Sequence, residues 1–136
     1  MPFKTFTFSI LSALGLATAA QASVLYDCRM PGQAANSWVS PRIAMVFDTD
    51  GTVTVSDGIV LGVLGGPVEA RASRNGDRIR VTWTVAGAKD NKGERIPKFS
   101  YEAQLSQSDN SLYVVAKPVG FPQRFSGRGT CNTRRP

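Results

Sequence analysis

Beyond its first two dozen residues the chain alternates apolar and polar positions, with turn-forming residues about every ten positions. A period of two with frequent turns predicts antiparallel strands, and no stretch carries a long helical period. Three turns can be tested by asking which register puts like residues on one face. In "VEARASRNGDRIRVTW", Asn75-Gly76 is the strongest two-residue hairpin signal. That turn sets Arg74 against Asp77 beside the loop, then Ala72 against Ile79, Ala70 against Val81 and Val68 against Trp83, a run of apolar pairs on one face. The other face carries Glu69, Arg71, Ser73, Arg78, Arg80 and Thr82, with Arg71 directly opposite Arg80. A slip of one residue would mix the two faces.

In "IAMVFDTDGTVTVSD", a three-residue loop at Thr49-Asp50-Gly51 sets Phe47 against Val53 and Met45 against Val55. "DTDG" also matches the opening of a calcium loop, but the next alternate residues, Val53 and Val55, offer no oxygen ligand, so turn chemistry is the expectation. In "FSYEAQLSQSDNSLYVVA", a four-residue loop from Gln107 to Asn110 pairs Leu105 with Leu112, Ala103 with Val114 and Tyr101 with Ala116. With a first strand over residues 23–29 and a last over about 124–132, the count reaches eight. In an up-and-down order, strands one and eight run antiparallel and can close on each other, which removes both sheet edges. The expected fold is therefore all-β: a small antiparallel eight-stranded up-and-down barrel, a calycin-like meander. An open two-sheet β-sandwich is the alternative. Gly127 and Gly129 share the inward phase of Phe125 and Cys131, which suits a tight corner or a bulky side chain packed opposite.

The N-terminus breaks this pattern. A single Lys4, an apolar stretch over residues 6–19 and the small-x-small site Ala20-Gln21-Ala22 form the layout of a secretory signal peptide. The stretch is too short and too interrupted by Thr and Ser to span a membrane comfortably. Residues 1–22 are thus read as a leader and residues 23–136 as one β-barrel domain in the periplasm or outside the cell. Export permits disulfides, and the chain has two cysteines, Cys28 and Cys131, so one intramolecular pairing. They fall on the first and last strands, where a bond would staple the seam of the barrel.

Losing the leader lowers the formal charge of +6 by one, because it carries Lys4 and no acidic residue. A basic exported domain favours anionic partners: envelope polymers, anionic lipid surfaces or acidic proteins. No nucleic-acid motif is present. The chain contains no histidine. That excludes Ser-His-Asp and Cys-His catalysis and the usual zinc sites, and two cysteines make a poor soft-metal site. Asp27, Asp57, Glu69, Glu94 and Glu102 could in principle supply a carboxylate pair, but no spacing singles one out. No glycine-rich phosphate loop follows a strand and opens a helix. No enzyme, metal or cofactor is expected.

Two features stand out. "GIVLGVLGGP", residues 58–67, holds five large apolar residues among four glycines, which makes it a poor helix by propensity. The expectation is a core segment that plugs one barrel end, or a short buried strand. The functional alternative is an apolar lid over a ligand cavity, or a partner patch. The second feature is the basic hairpin face, with Arg71, Arg78 and Arg80 as a candidate anion site. The plainer reading is that Glu102, outward on the neighbouring strand, relieves Arg80.

"LYDC", residues 25–28, close behind the leader and followed by a late second cysteine, resembles the exported lysozyme-inhibitor β-barrels. The likeness spans a handful of residues and carries no site residue with it. Taken together, the sequence predicts a small exported binding module that takes a small apolar or amphipathic ligand at its open end. Ile59, Leu61, Leu64 and Phe121, within residues 58–67 and 118–122, would rim the mouth. The alternative is an interaction or inhibitor protein that sets its basic outer face against an acidic partner.

Overall fold

Burial alternates strictly along residues 53–57, 78–85 and 99–106, as the sequence does there. In a computed structural model that describes residues 15, 23–34, 37–96 and 98–135, eight strands follow one another: β1 (Val24–Arg29), β2 (Arg42–Phe47), β3 (Val53–Asp57), β4 (Val68–Asn75), β5 (Arg78–Val85), β6 (Phe99–Ser106), β7 (Ser111–Pro118) and β8 (Phe125–Arg134). Each pairs antiparallel with the next, and β1 pairs with β8, so the sheet closes into an up-and-down barrel. The signal-peptide reading of residues 1–22 lies outside the described residues apart from Gly15.

Cys28 and Cys131 are direct register partners on β1 and β8 and form a disulfide across the seam. The interior is filled by inward side chains, among them Met45, Val55, Val81, Tyr101, Leu105 and Val114. Trp83 is buried and stacks on its cross-strand neighbour Tyr101, with ring centroids 5.2 Å apart. The Tyr101 hydroxyl donates to the Trp38 carbonyl at 2.8 Å, tying the long β1–β2 connection to β6. That connection passes tightly over β8. A methyl group at Gly129 would run into the Arg29 carbonyl and the Met30 sulfur, which is the bulky neighbour that its inward phase requires.

The β2–β3 and β6–β7 hairpins adopt the expected registers, Phe47 against Val53 and Leu105 against Leu112. The β4–β5 hairpin does not. Asn75 stays in the strand and pairs with Arg78, and the two-residue loop is Gly76-Asp77. Ala72 therefore faces Val81, and Arg71 faces Thr82 rather than Arg80, a shift of two positions in the pairing. The reason lies in backbone chemistry. An Asn75-Gly76 loop needs both residues at positive φ, whereas here Gly76 alone takes it, at 62°, in the first central position that a II′ loop reserves for glycine. A two-residue shift keeps every residue on its original side of the sheet, inward or outward.

The segment after β3 is a correction as well. Residues Gly58–Leu64 form a short helix, α1, rather than a strand and despite its glycines, and it is as a helix that the segment packs into the core at this barrel end. Asp57 caps its start, its carboxylate accepting from the Val60 amide at 2.8 Å. Gly65, at φ 76°, ends it in the left-handed conformation, with Gly66 and Pro67 beyond. Val60 is fully buried against the core, and Ile59 and Val63 pack beside it. Tertiary burial and two good caps outweigh the cost of two helical glycines.

The meander sorts the connections into two ends. The long ones, the β1–β2 connection, α1, residues 86–98 and residues 119–124, gather at one end. The tight turns, at residues 48–52, 76–77 and 107–110, gather at the other.

Candidate functional site

The outward residues of β5 to β8 form rows set by the register. One row runs Arg78, Ser106, Ser111, Thr130; the next runs Arg80, Gln104, Tyr113, Arg128. Serines make a low floor and arginines make tall walls, so a groove opens between Arg78 and Arg128. β5 and β8 stand three strand spacings apart, about 14 Å. Gln104 and Tyr113 line the groove together with Ser106 and Ser111. The Arg128 guanidinium sits 4.4 Å from the centre of the Tyr113 ring, a cation–π contact that orients it without neutralising it. Among the described residues, neither Arg78 nor Arg128 has an acidic partner.

Of the three arginines expected at an anion site, only Arg78 stands in this groove. Arg80 is taken by Glu102 at 2.8 Å, as the outward phase of Glu102 requires, and instead borders a second hollow with Arg78, Ser73 and Gln104. Arg71 lies on β4, one strand beyond the groove's edge at Arg78, opposite Thr82, and lines neither hollow. Arg128 is the residue that the sequence reading passed over. Its signal was its outward phase between Gly127 and Gly129, but only the β7–β8 register, Tyr113 against Arg128, carries it to the site.

At the long-connection end, the expected mouth residues separate. Leu61 and Leu64 are exposed on the outer side of α1, and Phe121 is 54% exposed in the β7–β8 connection. Ile59 turns inward and packs on the core. A shallow groove at this end is lined by Trp38, Ile96, Phe99, Pro118, Phe121 and Phe125, with Asp90, Glu94 and Arg95 on its border. Trp38 stacks on Phe99 at 4.3 Å.

Two carboxylates differ sharply in environment. Asp57 is buried at the α1 end of the barrel, and burial pushes its carboxyl above the ordinary range, against the pull of the Val60 and Ile59 amides and of Ser40. Burial also raises the nearby Tyr101 hydroxyl, with the Asp57 charge adding to the rise. On the outside of β1, Asp27 receives a two-pronged contact from Arg42, at 3.0 and 2.9 Å. That contact, with Arg29 and Arg134 nearby, holds its carboxyl below the ordinary range. Both groups have work in the fold: one caps a helix, the other joins β1 to β2. No protein-family model matches the chain, and no curated protein or solved structure matches it.

Proposed function

We propose that the chain is an exported interaction protein that binds an acidic partner along the outer face of β5–β8. The observation that carries this reading is the groove between Arg78 and Arg128, two arginines without an acidic partner among the described residues, over a floor of Ser106 and Ser111. Arginine forks match planar carboxylates and tetrahedral phosphates, and hydroxyl and amide groups between them add neutral hydrogen bonds. Support for export comes from the leader pattern of residues 1–22 and from the disulfide between the first and last strands.

The test is binding of the chain from Ser23 onward, which carries all eight strands, to a panel of anionic envelope polymers and acidic proteins at low and high salt. The double variant Arg78→Ala/Arg128→Ala should weaken binding about tenfold or more, the range for losing charge-assisted hydrogen bonds. Arg71→Ala, outside the groove, should leave it nearly unchanged. Urea melts should barely move, because all three side chains are exposed. Unchanged binding in the double variant would overturn the reading.

A second reading, a small apolar or amphipathic ligand at the long-connection end, draws on the groove beside Trp38, Ile96 and Phe121. Saturable binding of a fluorescent apolar probe, lost in Phe121→Ser, is its test.

A further inference from the structure

The barrel is polarised along its axis in lysine content and in hydrophobicity. Every lysine after Lys4 lies at the long-connection end: Lys89, Lys92, Lys98 and Lys117. Arg95 and Arg124 join them, and all six are exposed. Asp90 and Glu94 are the acidic residues in these same connections, and the Asp90 carboxylate accepts from the amides of Lys92 and Glu94 in its own loop. At the opposite end, the tight turns carry Asp48, Asp50, Asp77 and Asp109, and Arg74, Arg78 and Arg134 stand on the strand ends beside them, so charge there is mixed and no lysine is present. The four exposed large apolar residues of the described chain, Leu61, Leu64, Val119 and Phe121, all lie at the lysine end.

Two of them are on α1 and two are in the β7–β8 connection, so they come from separate elements of the rim. Basic side chains around exposed apolar tips form a surface suited to the boundary between anionic headgroups and acyl chains. An acidic protein would satisfy the lysines but leave the leucines and Phe121 without an apolar environment unless it brought its own. A free small molecule would fill the groove beside Trp38 without reaching α1, because no α1 residue lines that groove. We propose that this end docks peripherally on an anionic lipid bilayer, with Leu61, Leu64, Val119 and Phe121 entering the headgroup region and the lysines held over it. The docked barrel points its acidic turns away from the surface and leaves the Arg78–Arg128 groove on its flank free. The inference is independent of the groove reading, and different variants test the two.

The experiment is co-sedimentation of the oxidised chain from Ser23 onward with vesicles of phosphatidylcholine alone or with phosphatidylglycerol added. The expected result is sedimentation with the phosphatidylglycerol vesicles only, weakening as salt rises and the Debye length shrinks. Leu61→Ser/Phe121→Ser should reduce partitioning about tenfold or more, given the transfer free energy of two large apolar side chains. Lys92→Gln/Lys98→Gln should reduce it as well and flatten the salt dependence. Both double variants alter exposed side chains, and a urea melt matching the parent confirms that they fold. Four results would each overturn the proposal: no sedimentation with anionic vesicles; equal sedimentation with both vesicle types; binding that survives Leu61→Ser/Phe121→Ser; or binding lost in Arg78→Ala/Arg128→Ala alone, which would move the lipid contact to the groove. Probe binding at this end without any vesicle binding would also overturn it, in favour of a free small ligand.

Discussion

Single side chains decide how tightly the barrel closes. Gly129 has no room for a methyl group, because the obstacle is the Arg29 backbone carbonyl, fixed in the seam, together with the Met30 sulfur. Gly127 meets only side chains, Gln33 and Val39, at 3.0 Å. Gly129→Ala should therefore cost about 1–3 kcal/mol, the range for overpacking a core, and more than Gly127→Ala. Urea melts of the two variants check the order, and equal losses would contradict it. Trp83→Ala should cost about 3–5 kcal/mol, because the side chain is buried and stacked on Tyr101. A loss below about 1 kcal/mol would show that this face is not the core.

At the scale of elements, α1 offers a sharper test than any strand. Burial raises the Asp57 carboxyl above its ordinary value near 3.8, so the folded barrel holds that proton more tightly than the unfolded chain does. The group therefore favours folding most where it is protonated, and that contribution falls as pH rises through the raised pKa. Asparagine caps a helix about as well as aspartate and does not titrate. The stability of Asp57→Asn relative to the parent should thus increase from about pH 3.5 to about pH 7. A difference independent of pH would contradict this placement of Asp57. The helix itself was legible in its borders rather than its composition. Asp57 before the apolar run, and Gly65, Gly66 and Pro67 after it, are stop and start signals that outrank the glycines within. The strands were legible because alternation fixes which face is buried. The β4–β5 register was not, since a shift of two preserves both faces and the choice of loop rests on one dihedral angle at Gly76. That slip placed Arg71 opposite Arg80. Arg128 was missed for a related reason, because assigning it to the groove requires the register of two strands that no hairpin signal joins.

For the whole molecule, the disulfide and the charge distribution carry the account. Cys28 and Cys131 are separated by 103 positions, and cross-linking a loop of that length contributes about 4–5 kcal/mol in the chain-entropy model. Cys28→Ser/Cys131→Ser should lose much of that in a urea melt, with the barrel loosening first between β1 and β8. Free thiols on both cysteines in the native protein would remove the staple from the account. A barrel closed in this way has its interior filled by side chains, so the proposed contacts lie on its outer surface. Mapping that outside tests the central claim most directly: titrate the oxidised chain from Ser23 onward with a carboxylate or phosphate polymer and follow backbone amide resonances by NMR. The account predicts saturable, salt-sensitive shifts centred on Ser106, Ser111, Tyr113 and Arg128, and their loss in Arg78→Ala/Arg128→Ala. Shifts confined to the lysine end or to the tight turns, with β5–β8 silent, would contradict it.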